Sequence, residues 1–266
     1  MSKKKMLSVV GLVVALSLVV LSSTAYACWP WINVTDYTME PESKPTFYMA
    51  LGHRFPLGHS FISYDKTAWA SIEEVYMLSL DGAKLKVQQR VLEDGTRAQV
   101  QFEAVDKLKS GTHLLVLQTT RDFRKPSGTK HKAEIPTLNH MWAKAIVNIG
   151  ESGGSAFKKV LGHGLEIVPL KDPADLRVND YLPVKIFLNG EPLKSTWILA
   201  TYMGFSADSD VFAYTAKSSE NGTGEIRILQ PGIWRIRVDH KGPAPDPKKT
   251  GAEMLDYRAT LTFEVR

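Results

Sequence analysis

Through its C-terminal half the chain repeats one spelling, a short run of alternating apolar and polar residues closed by a turn signal. Leu182 to Leu188 (LPVKIFL) stops at Asn189-Gly190. Ile233 to His240 (IWRIRVDH) follows Pro231-Gly232, with Trp234, Ile236 and Val238 on one side and Arg235, Arg237 and Asp239 on the other. The final run places Tyr257, Ala259, Leu261, Phe263 and Val265 inward and leaves Arg258, Thr260, Thr262 and Glu264 for water. Strand side chains alternate with a period of 2 and helix side chains with 3.6, so this spelling predicts half-buried strands. No long stretch carries the helical period, which excludes the interleaved helices of a doubly wound fold.

The same punctuation runs through the first half. Glu74 to Leu80 turns at Asp81-Gly82 into Lys84 to Gln88, a hairpin signal. Ala98 to Ala104, Gly111 to Thr120 and Met141 to Ile149 complete that half, and GESGGS at 150–155 reads as a linker. About seven short strands in the last hundred or so residues fit an antiparallel sandwich. The expected fold class is therefore all-β, with two immunoglobulin-like antiparallel β-sandwich domains after an N-terminal signal peptide. The expected boundaries are 1–27 for the signal peptide, 28–155 for the first domain and 156–266 for the second. Trp234 and Trp197 are the expected core residues of the second.

The N-terminus carries the marks of export. Lys3, Lys4 and Lys5 precede an uncharged apolar run, Met6 to Leu21, and Ala25-Tyr26-Ala27 supplies the small residues that signal peptidase reads. The predicted location is the periplasm or the outer face of the cell membrane. Cleavage after Ala27 leaves Cys28 first, where it could carry a lipid anchor, ligate a metal or remain a free thiol. It is the only cysteine, so no intramolecular disulfide forms. The 33 basic and 28 acidic residues give +5, but three of those charges belong to the leader, leaving 30 against 28. That balance predicts no nucleic-acid partner. No phosphate-binding glycine motif, no G-x-S-x-G and no H-E-x-x-H occurs, so no enzyme is expected.

Imidazole is the natural ligand of divalent transition ions. His53 and His59 stand close in HRFPLGH, and His131 and His140 flank a second polar loop. These are the candidate metal ligands: His53, His59, His131 and His140. His113 precedes an apolar run and reads as structural, and His240 ends the strand that bears Trp234. His163, between Gly162 and Gly164, is a weaker candidate. Trp29, Trp31, Tyr37, Phe47 and Tyr48 cluster near the mature start. They either plug one end of the first sandwich or, if exposed, stack on a glycan or a partner.

Certain residues also carry a resemblance. Gly164-Leu165-Glu166-Ile167-Val168-Pro169-Leu170 runs into Asp172-Pro173, followed by Asn179-Asp180, the run at 182–193, Gly232-Ile233-Trp234 and the tail at 256–265. Gly52-His53 with Phe55-Pro56, and Trp142-Ala143-Lys144-Ala145, add to it. Together these resemble the exported proteins of the domain of unknown function 4198 family. The resemblance implies a periplasmic accessory protein that binds nickel or cobalt for a membrane metal importer. The alternative is a non-catalytic extracytoplasmic scaffold that binds protein or glycan.

Overall fold

The computed structural model describes residues 29–56, 71–93, 98–105, 108–122 and 135–266. The signal segment 1–27, Cys28, His59 and His131 lie outside them. The strands are β1 (Trp29–Val34), β2 (Thr38–Met39), β3 (Thr46–Gly52), β4 (Ser71–Leu78), β5 (Lys84–Leu85), β6 (Val87–Glu93), β7 (Ala98–Ala104), β8 (Gly111–Asp122) and β9 (Thr137–Ile149). After a 3-10 turn at Ala156–Lys158 come β10 (Leu165–Pro169), β11 (Tyr181–Leu188), β12 (Glu191–Pro192), β13 (Trp197–Tyr202), β14 (Tyr214–Lys217), β15 (Thr223–Arg227), β16 (Gly232–Pro243) and β17 (Met254–Val265). Among the described residues, helix is confined to α1 (Pro247–Thr250) and 3-10 turns. The fold is all-β, and the turn signals act as spelled. Asn189 and Gly190 both take positive φ between the paired residues Leu188 and Glu191.

Three sheets form. A nine-stranded sheet runs β14-β13-β16-β17-β9-β8-β4-β5, with β2 added beside β9. One four-stranded sheet has the order β1-β3-β7-β6, and the other joins β10, β11, β12 and β15. The expectation of purely antiparallel sheets needs correction. β17 pairs with β9 in parallel, Met254 opposite Thr137 through Thr262 opposite Ala145, and β2 is parallel to β9 as well. Parallel neighbours need a long connection, and here the whole of 150–253 supplies it. The segment around 150–162 joins the halves along the chain, while the sheet itself runs through both.

The two smaller sheets cover opposite faces of the large one. On one face β10, β11 and β15 close a core with Trp142, Ile146, Trp234, Ile236, Leu261 and Phe263. On the other, β1, β3 and β7 close a second core of Ile32, Phe47 and Phe102 with Leu115, Met141 and Val147. Strand 137–149 serves both cores, which is why MWAKAIVNI reads as a nearly continuous apolar run, while 254–265 lines the first core. On the polar side of β17, Arg258, Thr260 and Thr262 are buried, contrary to the expectation from alternation, and Glu264 keeps partial contact with water. β1 lies across that side, and the hydroxyls of Thr260 and Thr262 donate to the carbonyls of Pro30 (2.7 Å) and Ile32 (2.9 Å). Trp197 is the reverse correction. It is 58% exposed, because its neighbours Ile198 and Ala200 point into the core and strand parity turns it outward.

Gly164 fixes the approach of the second half to the first. Its φ is +42°, and an added Cβ would lie 1.9 Å from the Trp142 ring. Gly164→Ala should cost about 2–3 kcal/mol through overpacking, read as a lower urea midpoint with an unchanged m value.

Candidate functional site

Most motif residues gather at two polar clusters, one on each face of the shared sheet. The first surrounds Lys144 on β9 and Glu166 on β10, both buried, with Nζ donating to Oε2 at 2.7 Å. The loop before β10 curls around the carboxylate. The backbone N–H groups of Leu161 (3.0 Å), Gly162 (2.7 Å) and His163 (3.3 Å) all donate to it. Gly162 and Gly164 flank the curl at positive φ, so consecutive amides converge on one anion. The motif GLEIVPL thus meets the motif WAKA, and the meeting is an ion pair.

Aromatic rings line the same face. Trp142 stacks on His163 (5.7 Å between centroids), His140 (5.9 Å) and Tyr257 (6.0 Å). Burial holds both imidazoles below their ordinary pKa, against the pull of Glu166 on His163 and of Glu73 on His140. His113 is also buried, bonded to the Lys109 carbonyl at 2.8 Å. It is a core residue, as its sequence position suggests.

On the opposite face, Arg235 and Arg237 of β16 and Arg258 of β17 lie under the aromatic end of β1. Arg235 sits over Trp31 (4.8 Å) and Phe55 (5.1 Å), and Arg237 over Trp29 (4.3 Å) and Phe212 (4.5 Å). Arg258 lies 5.3 Å from Trp29 and donates to Asp256 at 2.6 Å. Arg237 Nη1 donates to Asp210, and His53 Nδ1 stands 3.0 Å from the same carboxylate. Burial opposes charge on Asp210, but the Arg237 hydrogen bond and charge, helped by His53, hold its carboxyl below the usual range. Alternation places these arginines on the side of β16 away from Trp234, and that side is covered too: they are 2% (Arg235) and 9% (Arg237) exposed, because the rings of Trp31 and Trp29 lie over them in cation–π contact. The N-terminal tryptophans are therefore plugs.

The structure separates His53 from His140. His53 belongs to the arginine face and His140 to the Trp142 face. Among the described residues, no group of three or more His, Cys, Asp or Glu side chains is placed to hold a metal ion. Exposed apolar side chains occur at both ends of β13, Trp197 at its start and Met203, Phe205 and Val211 in the loop at 203–213. The signal for the exposure of Trp197, which eluded the sequence reading, was the parity of TWILATY, in which the tryptophan is out of step with Ile198 and Ala200.

Fold and clusters define an all-β module of two sandwiches on one shared sheet, with no catalytic metal cluster among its described residues. The family described as Domain of unknown function (DUF4198) matches residues 25–242, and the chain belongs to it. That description names no ligand. No curated protein matches. Among solved structures, the D0-D1 domain of Intimin shares 13% identity at a TM-score of 0.24, covering 87% of this chain and 96% of its own. The Yersinia pseudotuberculosis adhesin InvE shares 10% at 0.24, covering 87% and 58%. The ectodomain (Ig1-Ig3) of mouse nectin-like molecule 4 shares 12% at 0.21, covering 89% and 63%. TM-scores this low carry no argument about function.

The Lys144–Glu166 pair predicts a pH dependence. Burial opposes ionisation of Glu166, but the Lys144 charge and the hydrogen bonds from Lys144 and Leu161 outweigh it, so its pKa lies below the ordinary 4.5. A depressed folded-state pKa stabilises above the unfolded value and loses that contribution as pH falls through the depressed one. Glu166→Gln leaves a buried ammonium unpaired and should cost about 3–5 kcal/mol at neutral pH. Its unfolding free energy should also fall less steeply with acid than that of the wild type, as denaturant titrations from pH 7 to 3 would show.

Proposed function

We propose that this is an exported, non-catalytic scaffold of immunoglobulin-like sandwiches that binds a protein partner through the open face around Trp197. The observation that carries this reading is the 58% exposure of Trp197 on a strand whose alternate residues are fully buried. A tryptophan left in water on a rigid sheet is an unsatisfied apolar surface, and such residues anchor interfaces. Half-buried Leu199 lies on the same side of β13, the Lys217 ammonium lies 5.7 Å from the Trp197 ring, and Met203, Phe205 and Val211 are exposed in the loop beyond the strand's other end. Aliphatic and thioether side chains mixed with aromatic ones favour a protein over a glycan, which stacks on rings alone. The face ends at β14, a short edge strand bearing Lys217, and the charge there discourages indiscriminate strand pairing. Export is supported by the basic, apolar and small-residue order of residues 3–27.

Because Trp197 makes little of the core, Trp197→Ala should change folding stability by less than about 0.5 kcal/mol, measured by chemical denaturation. A photo-crosslinking amino acid at 197 should give a discrete protein adduct in the producing cell envelope. The same residue at Tyr181, exposed on the far side, should give none. Equal labelling at both sites, or none at 197, removes the proposal.

A further inference from the structure

Among the described residues the arginine face carries more cations than carboxylates. Arg237 is paired with Asp210, and Arg258 with Asp256, which also takes Lys241 at 3.5 Å. Arg235, the most deeply buried of the three, has no carboxylate among the described residues. Its Nε and Nη1 are buried and make no hydrogen bond there, and neither does Nε of Arg237. Cation–π contact with Trp31 and Phe55 stabilises the guanidinium by a few kcal/mol at most and leaves its in-plane N–H groups unused. A buried unpaired charge costs several kcal/mol, and buried donors without acceptors are rare enough to call for an occupant.

We propose that the arginine face is an anion-binding site, in which a carboxylate docks in plane against Arg235 and draws on the free Nε of Arg237. Geometry selects the class. The flat guanidinium fork is matched by the paired, coplanar oxygens of a carboxylate, while Trp31 and Phe55 stand on adjoining sides of it, 6.0 Å apart. Burial and the neighbouring Arg237 charge lower the Arg235 pKa to about 9, against the pull of Asp210, so the group is still cationic at neutral pH. The exposed groups at the rim are His53 and Asp210, and Asp210 already shows how a carboxylate seats on this ladder. The site adjoins the Trp197 face, since Asp210 and Phe212 of the loop at 203–213 both reach Arg237, and its test reads Arg235 alone.

The test uses the mature chain in a salt of weakly coordinating anions. Sodium acetate is titrated while the Nε–H resonances of the arginines are followed by nitrogen-15 NMR, with sodium phosphate and sodium chloride as parallel arms. The proposal expects a saturable shift of the Arg235 Nε–H signal under acetate, a weaker response to phosphate and chloride, and a rise in Tm over the same acetate range. Arg235→Lys, which keeps the charge and loses the fork, should abolish the Tm rise. An Arg235 signal unmoved by acetate overturns the proposal, as does a Tm rise of equal size in the lysine variant. A stronger response to phosphate overturns the assigned class. Should the lysine variant fail to fold, the wild-type resonance alone decides.

Discussion

The parallel contact between β9 and β17 is the constraint on which the rest of the molecule depends. It joins the last strand of the first half to the last strand of the chain, and so turns two sandwiches into one sheet with two covers. Each cover takes a different face, so β9 and β17 are wrapped on both sides and their backbone groups are fully used within the sheet. Opening that contact would expose two apolar runs at once. Motion between the halves is therefore tied to the cost of breaking a buried ladder, unlike motion about a flexible linker.

Placing the covers on opposite faces also buries charge. Lys144 stands on the strand that enters both cores, and its ammonium is tolerated because Glu166 and three backbone amides surround the opposing carboxylate. The other face uses a different device, layering guanidinium groups on indole and phenyl rings. Both clusters sit where the two halves meet. Their large penalty for mispairing favours a single register over competing arrangements of similar hydrophobicity.

The motifs that carried the family resemblance take on a physical meaning in this light. Gly164 lets the chain pass under Trp142, Glu166 answers Lys144, Asp172 caps the 3-10 turn at Pro173 and accepts from Thr112, and Phe55 roofs Arg235. They specify how the halves fit. The partner-binding surface of the proposed scheme lies elsewhere, on β13, whereas the proposed anion site is roofed by the motif residue Phe55. His53 stands apart from His140, and its δ nitrogen faces Asp210, a residue remote in sequence that no spacing rule could have named.

Local physics made the strands legible. Period-2 alternation, Asn-Gly and Asp-Gly turns and the glycine-rich junction all act within a few residues, and the sequence by itself determined an all-β chain with strands close to where the alternation puts them. It also placed Trp234 inside, because its neighbours at every second position are apolar. Alternation says only that a strand has two unlike faces, and not that the polar one is wet. Whether Arg235, Thr260 and Thr262 meet solvent, and whether Trp197 leaves it, was decided by which sheet lay across which face. That outcome rests on contacts between residues more than a hundred positions apart, where the free energy belongs to the assembled layers and no local pattern records it.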